Sequence, residues 1–176
     1  PGDRVFGMSN RFCGGVLAEY ALFDRGELEQ APECLSPVES AAVPLAALTA
    51  LQGLRDAGGI QPGHKVLING ASGGVGTFAV QIAKSFGAEV TAVCSTRNLE
   101  QARSIGADHV IDYTKEDFTK NGQQYDLVFA ANGYHSLSAY KRALTPKGIY
   151  VMAGGTRADA AVWKPHLTGP STLSKG

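Results

Sequence analysis

The sequence predicts an α/β fold built on a doubly wound parallel sheet. From Lys65 onward, short apolar runs alternate with helical patterns, and this alternation places helices on both faces of a parallel sheet. The first apolar run leads directly into a glycine-rich turn and the start of a helix. The chain has 176 residues, of which 44% are hydrophobic, enough for one domain with a substantial core.

The first 36 residues differ from the rest of the chain. They contain several glycines and short apolar pairs, such as Val5-Phe6 and Val16-Leu17. This pattern predicts β-strands and turns, with too few strands to close a sheet. We therefore expect residues 1–36 to be a terminal piece of a separate domain.

A helical segment follows from Pro37. Ser36 can act as its N-cap, with Glu39 three residues later completing a capping box. Small apolar residues continue to Leu54, and Pro44 is expected to divide the segment into two helices.

Five apolar runs from Lys65 onward predict the strands of the sheet: 65–69, 90–94, 109–111, 126–130 and 149–153. Asn98 can cap a helix that ends at Gly106, and a further helix is predicted between Ser136 and Leu144. A sheet of this type usually has a sixth strand. Residues 156–176 contain two prolines and scattered polar residues, so an irregular tail with an incomplete last strand is predicted there.

The glycine-rich turn has the form Ala71-x-Gly73-x-x-Gly76, with Ala in the place of the usual first Gly. Gly73 can bring the backbone close to a pyrophosphate, and Gly76 allows the helix to pack tightly on the strand. The helix N-terminus offers free N–H groups and a partial positive charge. The turn therefore predicts a Rossmann-type dinucleotide site, whose phosphate-binding residues are Ser72, Gly73, Gly74, Val75 and Gly76.

Composition excludes several other classes of partner. Sixteen basic and sixteen acidic residues balance to zero net charge, so nothing indicates binding to nucleic acid or to an anionic membrane. Cys13, Cys34 and Cys94 form neither a zinc pattern nor a disulfide framework, which favours a reducing, cytoplasmic setting.

Six short motifs occur in order along the chain: GDRVFG at 2–7, AEY at 18–20, PLAALTAL at 44–51, ASGGVG at 71–76, GADHVIDY at 106–113 and GIYVMAGG at 148–155. As a set they resemble the medium-chain dehydrogenase/reductases, in particular the zinc-free quinone oxidoreductase branch related to zeta-crystallin. The resemblance implies a nucleotide-binding Rossmann domain over residues 37–155, preceded at 1–36 by the end of a GroES-like catalytic domain. It also implies that the chain is an excised nucleotide-binding core. A natural short paralogue is the alternative.

The end of the second sheet strand bears on nucleotide choice. An acid there would bind the ribose 2′-OH of NAD, but no acid occurs before Glu100. Ser95 and Thr96 can donate to phosphate oxygens, and Arg97 supplies a charged fork, so NADPH is the expected cofactor. The alternative for Arg97 is an ordinary solvated surface residue, and relatives carry a Lys where this chain has Asn98. The resemblance also implies that Tyr113 contacts the 2′-phosphate, with an ordinary strand-end aromatic as the alternative.

Three further cofactor residues are expected. The resemblance places Thr49 near the nicotinamide and phosphates, unless its hydroxyl is satisfied within its own helix. Asn132 and Gly154 follow the fourth and fifth strands of the sheet, at the carboxyl ends where ligands bind, although both could belong to simple turns.

No catalytic residue and no metal site are assigned. The resemblance implies that Leu45 stands where zinc-dependent relatives have a thiolate ligand, and Leu cannot bind a metal. The four histidines, His64, His109, His135 and His166, show no ligand spacing and are predicted at the surface or in turns.

The function implied is an NADPH-dependent reductase of a small-molecule quinone, enal or enone, expected to be a homodimer. The alternatives are a non-catalytic NADPH-binding module and the enoyl reductase module of a larger synthase. A methyltransferase-type S-adenosylmethionine site is a more distant alternative.

Overall fold

A computed structural model of the chain describes residues 2–9 and 16–154, together with the backbone of a strand at 171–174. The chain forms two compact units, 1–48 and 49–176. The sequence places its first domain boundary at residue 36, so the two divisions differ by the first part of one helix. The three-part division at 36 and 155 stays a prediction.

The first unit contains the expected strands and turns. Strand β1 (Val5–Gly7) pairs antiparallel with β2 (Leu28–Gln30), which follows a single 3₁₀ turn. The guanidinium of Arg4 donates to the carbonyl of Leu35 at 2.5 Å and ties the end of this segment back to β1.

Helix α1 (Pro37–Leu51) begins at the predicted capping box. The backbone N–H of Glu39 donates to Ser36 Oγ at 3.3 Å, and the N–H of Ser36 donates to Glu39 Oε2 at 2.8 Å. The prediction that Pro44 divides this segment is wrong, because α1 runs through it without a break. Alanine and leucine on both sides of Pro44 favour the helix strongly enough to tolerate one missing N–H.

The second unit holds a six-stranded sheet in the order β5-β4-β3-β6-β7-β8. The first five strands are parallel: β3 (Lys65–Asn69), β4 (Glu89–Cys94), β5 (His109–Asp112), β6 (Tyr125–Ala130) and β7 (Leu144–Met152). The first four strands cover their apolar runs, whereas β7 begins five residues before its run and ends one residue before the end of that run. The predicted α/β class with a parallel sheet is confirmed.

The sixth strand lies in the segment for which an irregular tail with an incomplete last strand is predicted. Strand β8 (Ser171–Ser174) pairs antiparallel with β7, from Met152 opposite Ser171 to Ile149 opposite Ser174. Strand β8 begins directly after Pro170, and each of its four residues has the backbone N–H that proline lacks. A short polar edge strand has no apolar alternation to reveal it in the sequence. The edge of β7 is therefore paired.

Helices cover both faces of the sheet. Alternate residues of β3, β4 and β6, such as Val66 and Phe129, form one core with helices α2 (Gly74–Ser85) and α3 (Leu99–Ser104). The intervening residues, such as Leu67 and Val128, form the second core with helix α4 (Leu137–Arg142). Within the described ranges, no helix is long and apolar enough to cross a membrane.

Candidate cofactor-binding site

A groove of about 580 Å³ lies at the carboxyl ends of β3, β4, β5 and β6. This is the edge of a parallel sheet at which ligands bind. Strand ends and the loops that follow them supply its lining: Asn69, Gly70, Ser72, Gly73, Gly74, Val75, Gly76, Val93, Cys94, Ser95, Arg97, Asn98, Tyr113, Ala131, Asn132 and Tyr134.

The turn after β3 is anchored to the neighbouring strand. The N–H groups of Gly70 and Ala71 both donate to the carbonyl of Val93, at 3.1 and 3.0 Å. Gly70 has a φ of +87°, and a Cβ there would lie 2.9 Å from the Cβ of Asn132. Glycine at this position therefore serves both the turn geometry and the close approach of the loop after β6.

The three later glycines of the turn have two different roles. A Cβ on Gly76 would lie 2.1 Å from the carbonyl oxygen of Gly70, so α2 can approach β3 only with glycine here. A Cβ on Gly73 would meet only that same oxygen, at 3.5 Å, and a Cβ on Gly74 would meet nothing within 4 Å. The space at Gly73 and Gly74 is open, and it fits a phosphate group brought close to the backbone.

Helix α2 points its N-terminus at this space. Gly73 is the N-cap, and its carbonyl accepts the first helical bond from Thr77 at 2.9 Å. The N–H groups of Gly74, Val75 and Gly76 have no intrahelical acceptor, because the first turn of a helix has none to offer. Three donors and the positive end of the helix dipole suit a pyrophosphate.

The loop after β4 is short and polar. Ser95 leads into a 3₁₀ turn over Thr96–Asn98, and Asn98 Nδ2 donates to Ser95 Oγ at 3.1 Å. The expected side-chain cap of Asn98 on α3 is therefore not formed. Arg97 is exposed at the groove and has no ion-pair partner among the residues that the structure describes.

The acid nearest to this loop is Asp112, which pairs with Cys94 across β4 and β5. Its carboxylate accepts from Thr96 Oγ1, from the N–H of Thr114 at 3.0 Å and from Thr114 Oγ1 at 2.7 Å. The hydrogen bond from Thr96, followed by that from Thr114, lowers the pKa of Asp112 to about 2. Asp112 does not line the groove, and no Asp or Glu is among the described residues that do.

The loop after β6 is held from within the core. Asn69, only 1% exposed, donates through Nδ2 to the carbonyl of Asn132 at 2.9 Å and to the hydroxyl of Tyr140 at 3.0 Å. The N–H of Gly133 donates to the carbonyl of Gly154 at 3.1 Å. These bonds place Asn132 beside the glycine turn.

His135 lies in a loop, in agreement with the predicted surface or turn position, but aromatic rings pack against its side chain. Its side chain is 18% exposed, with ring centroids 4.4 Å from Tyr134, 4.9 Å from Phe118 and 5.7 Å from Tyr140. Burial lowers the pKa of His135, against a smaller opposing effect of Asp117 at 3.9 Å. Phe118 comes from a separate segment of the chain, so the local polar pattern could not reveal this packing.

The other histidines fit the prediction as far as they are described. His109 is exposed beside Glu89, and His64 lies in the turn before β3, where its Nδ1 accepts from the N–H of Gln61 at 3.3 Å. His166 lies outside the described residues, as does Cys13.

Two tyrosines extend over the groove. Tyr113 follows β5 and Tyr134 follows β6, yet their ring centroids are only 6.1 Å apart. In the sheet, β4 and β3 lie between β5 and β6, so the two rings reach towards each other across the carboxyl ends of β4 and β3. Burial raises the pKa of Tyr134 to about 12, with smaller effects of Tyr140 and Asp117 in the same direction, so its hydroxyl is protonated at neutral pH.

Nine of the eleven predicted cofactor residues line the groove: Ser72, Gly73, Gly74, Val75, Gly76, Ser95, Arg97, Tyr113 and Asn132. Thr49 does not; it lies half-buried in α1. Gly154 is also outside the lining and holds Gly133 instead.

The sequence prediction missed Asn69 and Tyr134. An amide at the end of an otherwise apolar strand was the available signal for Asn69. No local signal distinguished Tyr134. Cys94 is 1% exposed and belongs to the core, as expected, although one side of it borders the groove.

The residues that the structure describes contain no group of three or more His, Cys, Asp or Glu side chains able to hold a metal ion. The same ranges contain two free cysteines, exposed Cys34 and buried Cys94.

The chain is similar to known proteins in both sequence and structure. Residues 74–172, from the start of α2 into β8, match the model of the zinc-binding dehydrogenase family. The chain belongs to this family. The zinc-binding dehydrogenases are medium-chain dehydrogenase/reductases, so the superfamily indicated by the six sequence motifs is confirmed.

Individual relatives place the chain near quinone oxidoreductases, as the sequence predicted. It is 41% identical over 184 residues to a chloroplast envelope quinone oxidoreductase homolog of Arabidopsis thaliana, covering 99% of this chain and 55% of that protein. It is 43% identical over 135 residues to a mitochondrial NAD(P)H oxidoreductase of Mus musculus, covering 73% of this chain and 34% of that protein.

Among solved structures, an alcohol dehydrogenase superfamily protein from Novosphingobium aromaticivorans superimposes with a TM-score of 0.79 at 34% identity. The match covers 94% of this chain and 50% of that structure. The chain thus spans about half the length, or less, of the family members it matches.

Proposed function

We propose that the groove binds NADPH and that the whole protein is an NADPH-dependent reductase of quinones or α,β-unsaturated carbonyls. One observation carries the cofactor proposal. The open space at Gly73 and Gly74 faces the N-terminus of α2, while Arg97, with no acid beside it in the lining, stands at the end of β4. When bound, NADPH supplies a hydride from its nicotinamide ring.

Different residues of the chain bind different parts of the nucleotide. The first N–H groups of α2 hold the pyrophosphate, and the absent Cβ atoms of Gly73 and Gly74 let it approach. Ser95 and Arg97 hold the 2′-phosphate through hydrogen bonds and charge. No carboxylate among the described lining residues repels that phosphate or offers an acceptor to the ribose 2′-OH of NADH.

Calorimetric titration with NADPH and with NADH tests the nucleotide preference. Arg97→Ala is expected to weaken NADPH about 10- to 100-fold, because a charge-assisted bond contributes roughly 1.5–3 kcal/mol, and to leave NADH nearly unchanged. Arg103→Ala is the matched control, since it removes the same charge from a nearby arginine that does not line the groove. Equal losses for both nucleotides in Arg97→Ala would contradict the NADPH assignment.

The proposed substrate class is supported by the family. The Arabidopsis relative is named a quinone oxidoreductase homolog, and the mouse relative an NAD(P)H oxidoreductase. The first name includes a quinone, and the second includes the nicotinamide cofactor NAD(P)H. A non-catalytic NADPH-binding module would share the groove but not the turnover.

Turnover separates these two functions. No residue of this chain is assigned a catalytic role, and precise positioning of two reactants contributes roughly 7–11 kcal/mol to catalysis. We expect residues 1–176 alone to bind NADPH without quinone-dependent oxidation above background, and the longer gene product to show that oxidation. A longer product that binds NADPH but never oxidises it with any quinone or enone would favour the binding module.

Three further expectations from the sequence stay predictions. Elemental analysis of the purified protein should find no stoichiometric zinc, because Leu45 replaces a thiolate ligand of zinc-dependent relatives. Sedimentation should find a homodimer, and fractionation a cytoplasmic protein.

A further inference from the structure

A partly buried hydrogen bond joins β5 to the loop that carries Arg97. Asp112, at the end of β5, is 9% exposed, and its Oδ2 accepts a hydrogen bond from Thr96 Oγ1. Its Oδ1 accepts from the N–H and the hydroxyl of Thr114. We infer that Asp112 acts through Thr96 as a positioning residue that holds Arg97 for the 2′-phosphate and so determines the preference for NADPH. The inference rests on the proposed function of the groove.

The loop is held on both sides of Arg97. On one side, Thr96 is tied to Asp112. On the other side, Asn98 is tied to Ser95 through its backbone N–H, at 2.9 Å, and through its side chain, at 3.1 Å. Arg97 lies between these two anchors in a turn of only three residues. Its guanidinium forms no ion pair within the described part of the chain, and the two anchors fix the backbone from which its side chain reaches the groove.

The anchor itself belongs to the rigid sheet. Asp112 pairs with Cys94 in the parallel ladder, and the N–H of Tyr113 donates to the carbonyl of Cys94 at 3.1 Å. The bonds from Thr96 and Thr114 favour the ionised form of the carboxyl, whose pKa lies at about 2. Asp112 is therefore a charged acceptor at neutral pH, and hydrogen bonds to charged acceptors are stronger than those between neutral groups.

The same bonds occupy the carboxylate. Each threonine hydroxyl has one proton, and both protons point to Asp112. Asp112 lies at the end of β5, whereas a carboxylate that selects NADH lies at the end of the neighbouring strand, β4. The oxygens of Asp112 already accept hydrogen bonds from the two threonines. Release of Thr96 would loosen Arg97 and so weaken the binding of NADPH.

Thr96→Val tests the inference, because valine keeps the shape of threonine and removes its hydroxyl. We expect the Kd for NADPH to rise roughly five- to tenfold, in line with the loss of one hydrogen bond, while the Kd for NADH stays within about twofold. Thr96→Ser keeps the hydroxyl and should restore the wild-type ratio of the two constants. Thr96→Ala repeats the test should the valine variant fail to fold.

Thr119→Val is the matched control. Thr119 donates to Asp117 Oδ1 through its N–H at 3.0 Å and its hydroxyl at 2.8 Å, the arrangement that Thr114 makes with Asp112. Neither Thr119 nor Asp117 lines the groove, so both dissociation constants should keep their wild-type values.

A double-mutant cycle separates positioning from direct contact. If Thr96 acts through Arg97, Thr96→Val should cause no further selective loss of NADPH in the Arg97→Ala background. A full additional loss would mean that Thr96 binds the phosphate itself, which overturns the inference. An unchanged NADPH-to-NADH ratio in Thr96→Val also overturns it, and a selective loss in Arg97→Ala would then still support the proposed function. Equal losses for both nucleotides in Arg97→Ala would overturn the proposed function and the inference together.

Discussion

Two loops border the groove on either side of the glycine turn, and they are built in opposite ways. The loop after β4, residues 95–98, is polar and partly exposed, and it is held by short hydrogen bonds to Asp112 and within itself. The loop after β6, residues 131–135, packs its histidine among aromatic rings, and the buried amide of Asn69 anchors it.

This difference indicates which loop can be changed to alter nucleotide binding without a large change in the free energy of unfolding. Changes in the loop after β4 remove interactions with a ligand and little of the core. Changes in the loop after β6 break bonds to groups that are buried and have no water to replace them. We therefore expect the first loop to tune affinity and the second to affect the free energy of unfolding.

The largest expected effect lies in the turn between the two loops. Gly73→Val should abolish binding of NADPH and NADH alike, because two methyl groups would fill the space open to the pyrophosphate. A Cβ at this position meets only one oxygen, at 3.5 Å, so the fold should persist with a loss of about 1 kcal/mol at the helix N-cap. Calorimetry and urea unfolding measure the two quantities separately.

Gly76→Ala is the control for that turn. Its Cβ would lie 2.1 Å from the carbonyl oxygen of Gly70, so we expect a loss of roughly 1–3 kcal/mol in stability from overpacking. Normal nucleotide binding by Gly73→Val would show that the phosphates lie elsewhere, and both loops would lose their proposed roles.

The next effect compares the two loops directly through their asparagines. Asn69→Leu leaves the carbonyl of Asn132 and the hydroxyl of Tyr140 without their buried donor, and each such loss costs roughly 1–3 kcal/mol. Asn98→Ala removes only a partly exposed bond to Ser95 Oγ, so a change below about 1 kcal/mol is expected. Urea unfolding of both variants gives the comparison. Equal destabilisation would refute the contrast between the loops.

The same contrast explains how much the sequence could predict. The loop after β4 directly follows an apolar strand, so its place at the groove could be predicted from the end of that strand, although its hydrogen bond to Asp112 could not. The glycine turn was predictable for the same reason, since Gly76 and Gly73 act within a few residues of their own position.

The loop after β6 depends on partners far away in the chain. Asn69 is 63 residues from Asn132, and Phe118 reaches His135 from a separate segment. A pattern read over a few residues cannot show which polar side chain a distant aromatic will cover. Strand β8 escaped prediction for a related reason, because its pairing with β7 requires backbone N–H and C=O groups rather than a particular set of side chains.

The smallest expected effect is a pH dependence confined to the loop after β6. Burial lowers the pKa of His135 below its ordinary 6.5. The charge of Asp117 opposes this shift, and the charges of Lys120 and Arg142 add to it. The unfolded chain therefore binds the proton more readily than the folded one. This contribution to stability is fully present above about pH 6.5, and it is lost as the pH falls from there through the pKa of the folded state.

His135→Phe keeps an aromatic ring against Phe118 and Tyr140 and cannot titrate, so its free energy of unfolding should lose this slope below pH 6.5. His109→Gln is the matched control, because the side chain of His109 is 61% exposed. It lies beside Glu89 at the amino ends of β5 and β4, away from the loop after β6. Urea unfolding at several pH values between about 5 and 8 covers the window in which an ordinary histidine titrates. A slope that survives in His135→Phe, or disappears in His109→Gln, would show that the aromatic packing of His135 does not control its proton. The two loops would then differ in architecture without differing in response to pH.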